Sequence, residues 1–159
     1  MEPVNVGEGR IFGAEFEWEA KLAATGIRVL KDFTFRGNVS WFDSAVRDPV
    51  TGEERQFKDQ PDFVSNLVLL YFYKPWGAGV NVAWNYLDER IDVKNDGTQK
   101  IEAPLSLVDL SARKSLGKHW SLFFDVRNLF HEEKHKVDAG LKEVESIPTV
   151  YFFGIRGHI

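Results

Sequence analysis

Residues 33–41 read Phe-Thr-Phe-Arg-Gly-Asn-Val-Ser-Trp. The odd positions hold the aromatic rings, the valine and the glycine, whereas the even positions are polar. A period of two residues is typical of a β-strand with two unlike faces, because successive side chains point to opposite sides of a sheet. The stretch therefore predicts a strand. No segment of useful length shows the three-to-four-residue apolar period of a helix.

The same alternation recurs along the chain and predicts about seven strands. These strands are centred on residues 12–18, 33–41, 63–73, 78–86, 108–112, 120–126 and 151–159. The run 63–73 is apolar on both faces apart from Ser65 and Asn66, so its orientation is left open. The predicted fold class is all-β, an antiparallel up-and-down meander.

Composition excludes several classes of protein. The 159 residues carry a formal net charge of −4, which gives no sign of a nucleic-acid partner. Cysteine is absent, which excludes disulfides and thiolate metal sites. No stretch approaches the roughly 20 apolar residues that a membrane-spanning helix needs.

The predicted connections alternate between short and long. The short ones cover residues 23–31, 75–77 and 115–118, and the long polar ones cover 44–62, 88–103 and 131–147. A meander places alternate connections at opposite ends of the sheet, so all the long loops are expected at one end. Transmembrane β-barrels have short turns on one side and long loops on the other. The alternation therefore favours a transmembrane barrel.

The apolar face of the predicted sheet is expected to contact lipid. Aromatic residues stand near both strand ends, as at Trp76 and Tyr86, where barrels carry aromatic girdles. The residues predicted to face lipid are Phe12, Phe16, Trp18, Phe33, Phe35, Val39, Trp41, Val80, Val82, Trp84, Leu122, Phe124 and Val126. The opposite face is interpreted as an inner barrel wall, with contact to a transported substrate as the alternative; its charged residues are Glu15, Glu17, Glu19, Arg36, Asp109, Arg113, Asp125, Arg127 and Arg156.

Motifs that could carry chemistry lack the required context. Residues 131–135 spell the His-Glu-x-x-His of zinc proteases, but they follow a strand and have no third ligand, although a short helix over 135–145 is conceivable. No Gly-x-Ser-x-Gly nucleophile elbow occurs. We predict no catalytic, cofactor-binding or metal site, and we expect the three long loops to be the best place for ligand contact.

Four stretches resemble TonB-dependent outer-membrane receptors. Residues 5–15, Asn-Val-Gly-Glu-Gly-Arg-Ile-Phe-Gly-Ala-Glu, are similar to that family's entry into a descending strand. Phe57-Lys-Asp-Gln-Pro61 with Asn66-Leu67 resembles the stretch after a long loop, and Asn128-Leu-Phe130 resembles a motif near the top of the penultimate strand. The tail resembles the terminal strand read by the barrel-assembly machinery, through Tyr151, Phe153, Ile155 and Ile159. The family usually ends in Phe where this chain has Ile159.

The resemblance implies a partial transmembrane β-barrel. The family's barrel has about 22 strands, with an N-terminal plug and a TonB box, so residues 1–159 are expected to be one C-terminal fragment of it. The implied location is the outer membrane of a Gram-negative bacterium, and the implied partners are outer-membrane lipid, the barrel-assembly machinery and, only through the missing N-terminal region, TonB. The implied function is active uptake of a scarce nutrient, such as an iron–siderophore complex, with the small-molecule ligand itself unknown. The alternative is a soluble lipocalin-like binding barrel, whose interior would be apolar.

Overall fold

The computed structural model describes residues 9–47, 52–94 and 98–157 of the chain. Its strands are β1 (Gly9–Lys21), β2 (Phe33–Arg47), β3 (Glu54–Arg55), β4 (Phe63–Tyr73), β5 (Ala78–Leu87), β6 (Arg90–Val93), β7 (Gln99–Glu102), β8 (Leu105–Leu116), β9 (Trp120–Arg127), β10 (Glu133–Asp138), β11 (Leu141–Ser146) and β12 (Val150–Gly157). Three short 3₁₀ turns cover Leu22–Thr25, Arg28–Leu30 and Lys74–Trp76. No helix in the described ranges is long and apolar enough to cross a membrane.

Seven long strands form one antiparallel sheet in the order β1-β2-β4-β5-β8-β9-β12, with the two-residue β3 paired to β2. Each long strand lies next to its chain neighbour among the long strands, so the predicted all-β up-and-down meander is confirmed. Within the described residues the sheet does not close, because β1 and β12 are its two edges. The architecture is that of a partial barrel.

The strand register settles the face of β4 that the sequence left open. Gly37 of β2 lies opposite Trp18 and Leu67, and Leu67 lies opposite Trp84 of β5. Directly opposed residues share a face of a sheet. The odd-numbered residues of β4 therefore lie on the aromatic face, and the even-numbered ones lie with the charged residues.

The long loops carry more structure than the sequence predicted. They contain a second antiparallel sheet in the order β11-β10-β7-β6, which we call the loop sheet. The interpretation of residues 135–145 as a short helix is wrong, because β10 and β11 form a hairpin there. Its two-residue turn places Ala139 and Gly140 at φ values of 49° and 82°. Two consecutive residues with positive φ match the right-handed twist of a hairpin and end any helix.

The main sheet has almost no core of its own. Among the described apolar residues only Val46 and Val126 are buried. Large side chains on the aromatic face are open instead, with Phe12 66% and Phe153 84% exposed. The sheet is a single layer, and nothing in the described part of the chain covers its aromatic face.

Aromatic rings cover glycines on neighbouring strands. Five directly opposed pairs have this form: Gly13–Phe42, Gly37–Trp18, Gly79–Phe72, Gly154–Phe123 and Gly157–Trp120. At Gly37 the neighbouring backbone also comes close, because an added Cβ would lie 2.7 Å from the carbonyl oxygen of Asn66. Glycine is required there because the Trp18 ring and Leu67 pack against bare backbone.

Candidate functional site

The charged face of the main sheet forms a continuous polar wall. Register places all nine of the predicted inner-wall residues, from Glu15 to Arg156, on this one face. A ladder of side chains crosses three strands: Asn38 Nδ2 donates to Glu15 Oε1 at 3.1 Å, and Asn66 Nδ2 donates to Asn38 Oδ1 at 3.2 Å. Its charges are spread along the strands, so the wall offers hydrogen bonds without a strong preference for either sign.

The same wall carries an apolar cleft near the short turns. Leu70, Phe72 and Phe123 line it together with charged and polar neighbours. The guanidinium of Arg156 lies 5.9 Å from the centre of the Phe123 ring, within the range of a cation–π contact. Sequence reasoning missed this cleft because Leu70 and Phe72 belong to the strand that is apolar on both faces.

Glu102 is the centre of the loop sheet. Its carboxylate is buried and pairs with Arg90 of β6, with Lys100 at 2.8 Å and with Lys134 of β10 at 2.9 Å. Burial alone would raise the pKa of Glu102, but hydrogen bonds from Lys100 and Lys134 and the charge of Arg90 lower it from 4.5 to about 2. Glu102 therefore stays ionised in neutral solution and holds three strands from two loops together.

The first long loop joins this arrangement through Lys58. Its ammonium lies 2.8 Å from the buried carboxylate of Asp92 on β6, and this hydrogen bond raises the pKa of Lys58. The backbone N–H of Asp59 also donates to the carbonyl of Ile91. All three long loops therefore converge on one charged cluster.

Two side chains at this junction carry buried polar atoms that lack a hydrogen-bond partner in the described part of the chain. Among the described residues, both amide atoms of Gln60 and Oδ1 of Asp92 are buried without a hydrogen-bond partner. Buried polar groups are nearly always satisfied in native proteins. Gln60 and Asp92 are therefore the described loop residues whose hydrogen-bonding capacity is not fully used.

Asn128 organises the chain where β9 enters its long loop. It is only 3% exposed and adopts a positive φ of 50°. Its Nδ2 donates to the carbonyls of Glu132 and Ile147 at 2.9 and 2.8 Å, and its Oδ1 accepts from the Glu132 N–H at 2.8 Å. Its own N–H donates to Asp109 Oδ1 at 2.9 Å. The asparagine thus satisfies backbone groups from both ends of the loop.

The thirteen residues predicted to face lipid all lie on the aromatic face. Rings from neighbouring strands meet near the loop end, where the Trp41 and Phe63 centroids are 5.3 Å apart. Val126 shares this face but is only 2% exposed, so it has little surface to offer lipid. Tyr151, Phe153 and Ile155 lie on the same face, whereas Ile159 falls outside the described residues.

One comparison with known proteins decides the family. The family described as "TonB dependent receptor-like, beta-barrel" matches residues 1–129. The chain belongs to the TonB-dependent receptor β-barrel family. No curated protein and no solved structure matches it. The family is one of transport receptors of the Gram-negative outer membrane, which work through TonB in the full-length protein.

The match covers the receptor barrel from β1 to β9 and ends next to Asn128. It confirms the resemblance to the barrel of TonB-dependent receptors. The terminal strand β12 lies beyond the matched residues, so its role in assembly stays a prediction.

The protease-like motif of this receptor chain has the wrong geometry for zinc chemistry. His131 lies in a turn with a φ of 57°, and His135 lies on β10. The zinc motif needs its two histidines one helical turn apart on the same helix, whereas this segment runs from a turn into a strand. No group of three or more metal-binding side chains occurs in the described part of the chain.

Proposed function

We propose that the chain forms part of the wall of an outer-membrane receptor barrel that imports a scarce nutrient, such as an iron–siderophore complex. Transport in the full-length receptor is driven through TonB, which acts on the N-terminal region. The aromatic face contacts lipid, the polar wall faces the lumen, and the loop sheet lies outside the cell. Family membership supports the transport role, and the two unlike faces support the orientation.

The exposed aromatic face is the observation that carries this proposal. A soluble protein rarely leaves a contiguous apolar surface of more than a few hundred Å² open to water. Here that face extends across all seven long strands, from Phe12 on β1 to Phe153 on β12. A lipocalin-like barrel would turn its apolar side chains into a ligand cavity, yet the face opposite the aromatic one is charged.

The unpaired edges β1 and β12 support a larger closed barrel. Open sheet edges do not persist in hydrocarbon, because each unsatisfied backbone group costs several kcal/mol. The strands described here therefore need further strands to span a membrane.

Extraction behaviour tests the membrane role. The 159-residue chain should aggregate in plain buffer and recover β-structure in detergent, as measured by sedimentation and circular dichroism. A monodisperse chain that melts cooperatively without detergent would contradict the proposal and favour the soluble binding barrel.

Ligand contact at the loop corner can be tested separately in the full-length receptor. We expect that replacing Gln60 with Ala lowers uptake of a radiolabelled iron–siderophore complex, because its amide lacks a hydrogen-bond partner among the described residues at the junction of the long loops. Gln99→Ala is the matched control, since Gln99 is exposed on β7. Equal uptake by the two variants would place the substrate elsewhere or make it a different nutrient.

A further inference from the structure

A groove crosses the aromatic face near the short turns. Ala78 and Ala112 line it together with the larger Val80, Leu122 and Phe124. Small side chains leave this depression because larger neighbours stand on both sides. Its lining is almost wholly apolar, which suits a hydrocarbon chain and no polar ligand.

Lys114 closes the groove at the end nearest the turns. It lies between Ala78 and Leu122 on the aromatic face, where every other described strand residue around it is apolar. Its ammonium donates a hydrogen bond to the carbonyl of Trp76 in the adjacent turn. An ammonium has three donors, so two remain for another acceptor. A lysine that bends from an apolar surface toward the aqueous boundary is typical of a membrane interface.

The turns around Lys114 form a basic rim. The basic residues in segments 21–32, 74–77 and 114–119 are Lys21, Arg28, Lys31, Lys74, Lys114 and Lys118, and all are exposed. Asp32 is the sole acidic residue in these segments. None of the six forms an ion pair with another residue in the described ranges. The rim therefore carries a net positive charge, with six basic residues against one acidic residue.

The opposite end of the sheet carries the opposite sign. In the described loop residues 52–62, 88–94, 98–104 and 128–149, thirteen acidic residues outnumber eight basic ones. The positive charge of the rim is thus a local feature of a chain whose net charge is −4.

Exposed apolar residues are interleaved with the basic ones at the rim. Trp76 is 69% and Trp120 57% exposed, and Ile27 and Val29 are open in the first turn. Tryptophan prefers the headgroup level of a bilayer. Positive charge combined with such residues matches an anionic lipid surface better than an acidic protein, which would leave the apolar groups in water.

We propose that this groove and rim bind an anionic phospholipid on the short-turn side of the membrane. One acyl chain lies in the groove over Ala112, and the phosphate contacts Lys114 and Lys118. The inference rests on the proposed function, since it requires the aromatic face to contact lipid. It goes beyond general contact with lipid, because it names one binding site on the sheet and the charge of the lipid headgroup. Membership of the receptor family implies neither.

Tryptophan quenching tests the site. The full chain is folded in neutral detergent micelles, and brominated phosphatidylglycerol or brominated phosphatidylcholine is titrated in. Phosphatidylglycerol should reach half-maximal quenching at the lower mole fraction, because its net charge pairs with the rim. Lys114→Gln/Lys118→Gln should lower that preference by about 25-fold, since each basic residue near an anionic surface contributes about five-fold. Ala112→Phe fills the groove and should also raise the mole fraction of phosphatidylglycerol at half-maximal quenching.

Matched controls separate the site from general effects. Arg10→Gln/Lys142→Gln removes two exposed basic residues at the loop end, and Ala14→Phe adds a ring elsewhere on the aromatic face; both should keep the preference. If Lys114→Gln/Lys118→Gln fails to fold by circular dichroism, Lys74→Gln/Lys118→Gln, which changes turn residues alone, replaces it.

The outcomes distinguish the two proposals. Equal quenching by the two lipids, or equal loss in the rim and loop-end variants, would overturn the lipid site while leaving the receptor wall intact. Quenching by neither lipid would contradict the membrane role of the aromatic face itself.

Discussion

At the scale of single residues, Asn128 shows how one side chain fixes a long loop. Its amide forms hydrogen bonds with three partly buried backbone groups at the two ends of the loop. The Asn-Leu-Phe resemblance singled out Asn128 in the sequence, but it did not predict that the side chain holds the loop ends together. That role depends on Glu132 and Ile147, and contact with Ile147, 19 residues away, cannot be read from local pattern.

Replacing Asn128 with Ala should destabilise the folded chain by about 2–3 kcal/mol, because three partly buried backbone groups lose their partners. The measurement is the urea dependence of unfolding in detergent. Asn81→Ala is the control, since Asn81 has no hydrogen bond from its side chain among the described residues. Similar losses of unfolding free energy in the two variants would show that the hydrogen bonds of Asn128 do not stabilise the fold.

The two faces of β5 differ at neighbouring residues. Val82 lies on the aromatic face opposite Leu69 and Leu110, whereas Asn81 lies on the polar wall opposite Ser111. In the full receptor, Val82→Arg should cost roughly 2–4 kcal/mol if Val82 lies near the bilayer midplane, and Val80→Arg should cost less because Val80 lies nearer the short turns. Asn81→Arg should cost far less. Folding titrations of the receptor in lipid vesicles measure both, and equal costs would contradict the assignment of the faces.

At the scale of secondary-structure elements, Glu102 locks β6, β7 and β10 into one unit. Its pKa is lowered to about 2 from 4.5. A carboxylate with a depressed pKa stabilises the fold above its unfolded-state pKa, and that contribution is lost as pH falls. The loop sheet should therefore be fully stabilised by Glu102 above about pH 5 and should loosen between about pH 4.5 and pH 2, by at most about 3 kcal/mol.

Replacing Glu102 with Gln should remove this pH dependence and speed amide hydrogen exchange in β7 and β10 at neutral pH, because three cations lose their partner. Glu143→Gln is the matched control, since Glu143 is exposed on β11 and forms no ion pair with a described residue. Equal exchange rates in the two variants would mean that the ion pairs do not hold the loops.

Strand prediction succeeded where each strand had two unlike faces, and it failed in two identifiable places. The face of β4 could not be assigned because Val68, Leu70 and Phe72 put apolar residues on the polar wall. The loop sheet was missed because its strands are short and charged, and because β7 pairs with β10 across more than 30 residues of chain. Such pairing is fixed by tertiary contacts that no local period records.

At the scale of the whole molecule, the meander fixes which connections share a side of the membrane. Cysteines introduced at Gly52 and Gly140 of the full receptor should react with an impermeant thiol reagent added to intact cells, whereas one at Gly117 should react only after the outer membrane is opened. Gly97 is expected to behave like Gly52, although it lies outside the described residues. Labelling of Gly117 in intact cells would reverse or break the proposed topology.

The pairing of β7 with β10 also bears on how such a receptor can change during evolution. The sequences of two loops that share a sheet cannot change independently, because an insertion in either loop shifts the strand register between them. New ligand preferences in this barrel should therefore arise through paired substitutions, so that a change of charge at Lys134 is accompanied by a compensating change at Glu102. Independent substitutions should be confined to hairpin tips such as Gly140.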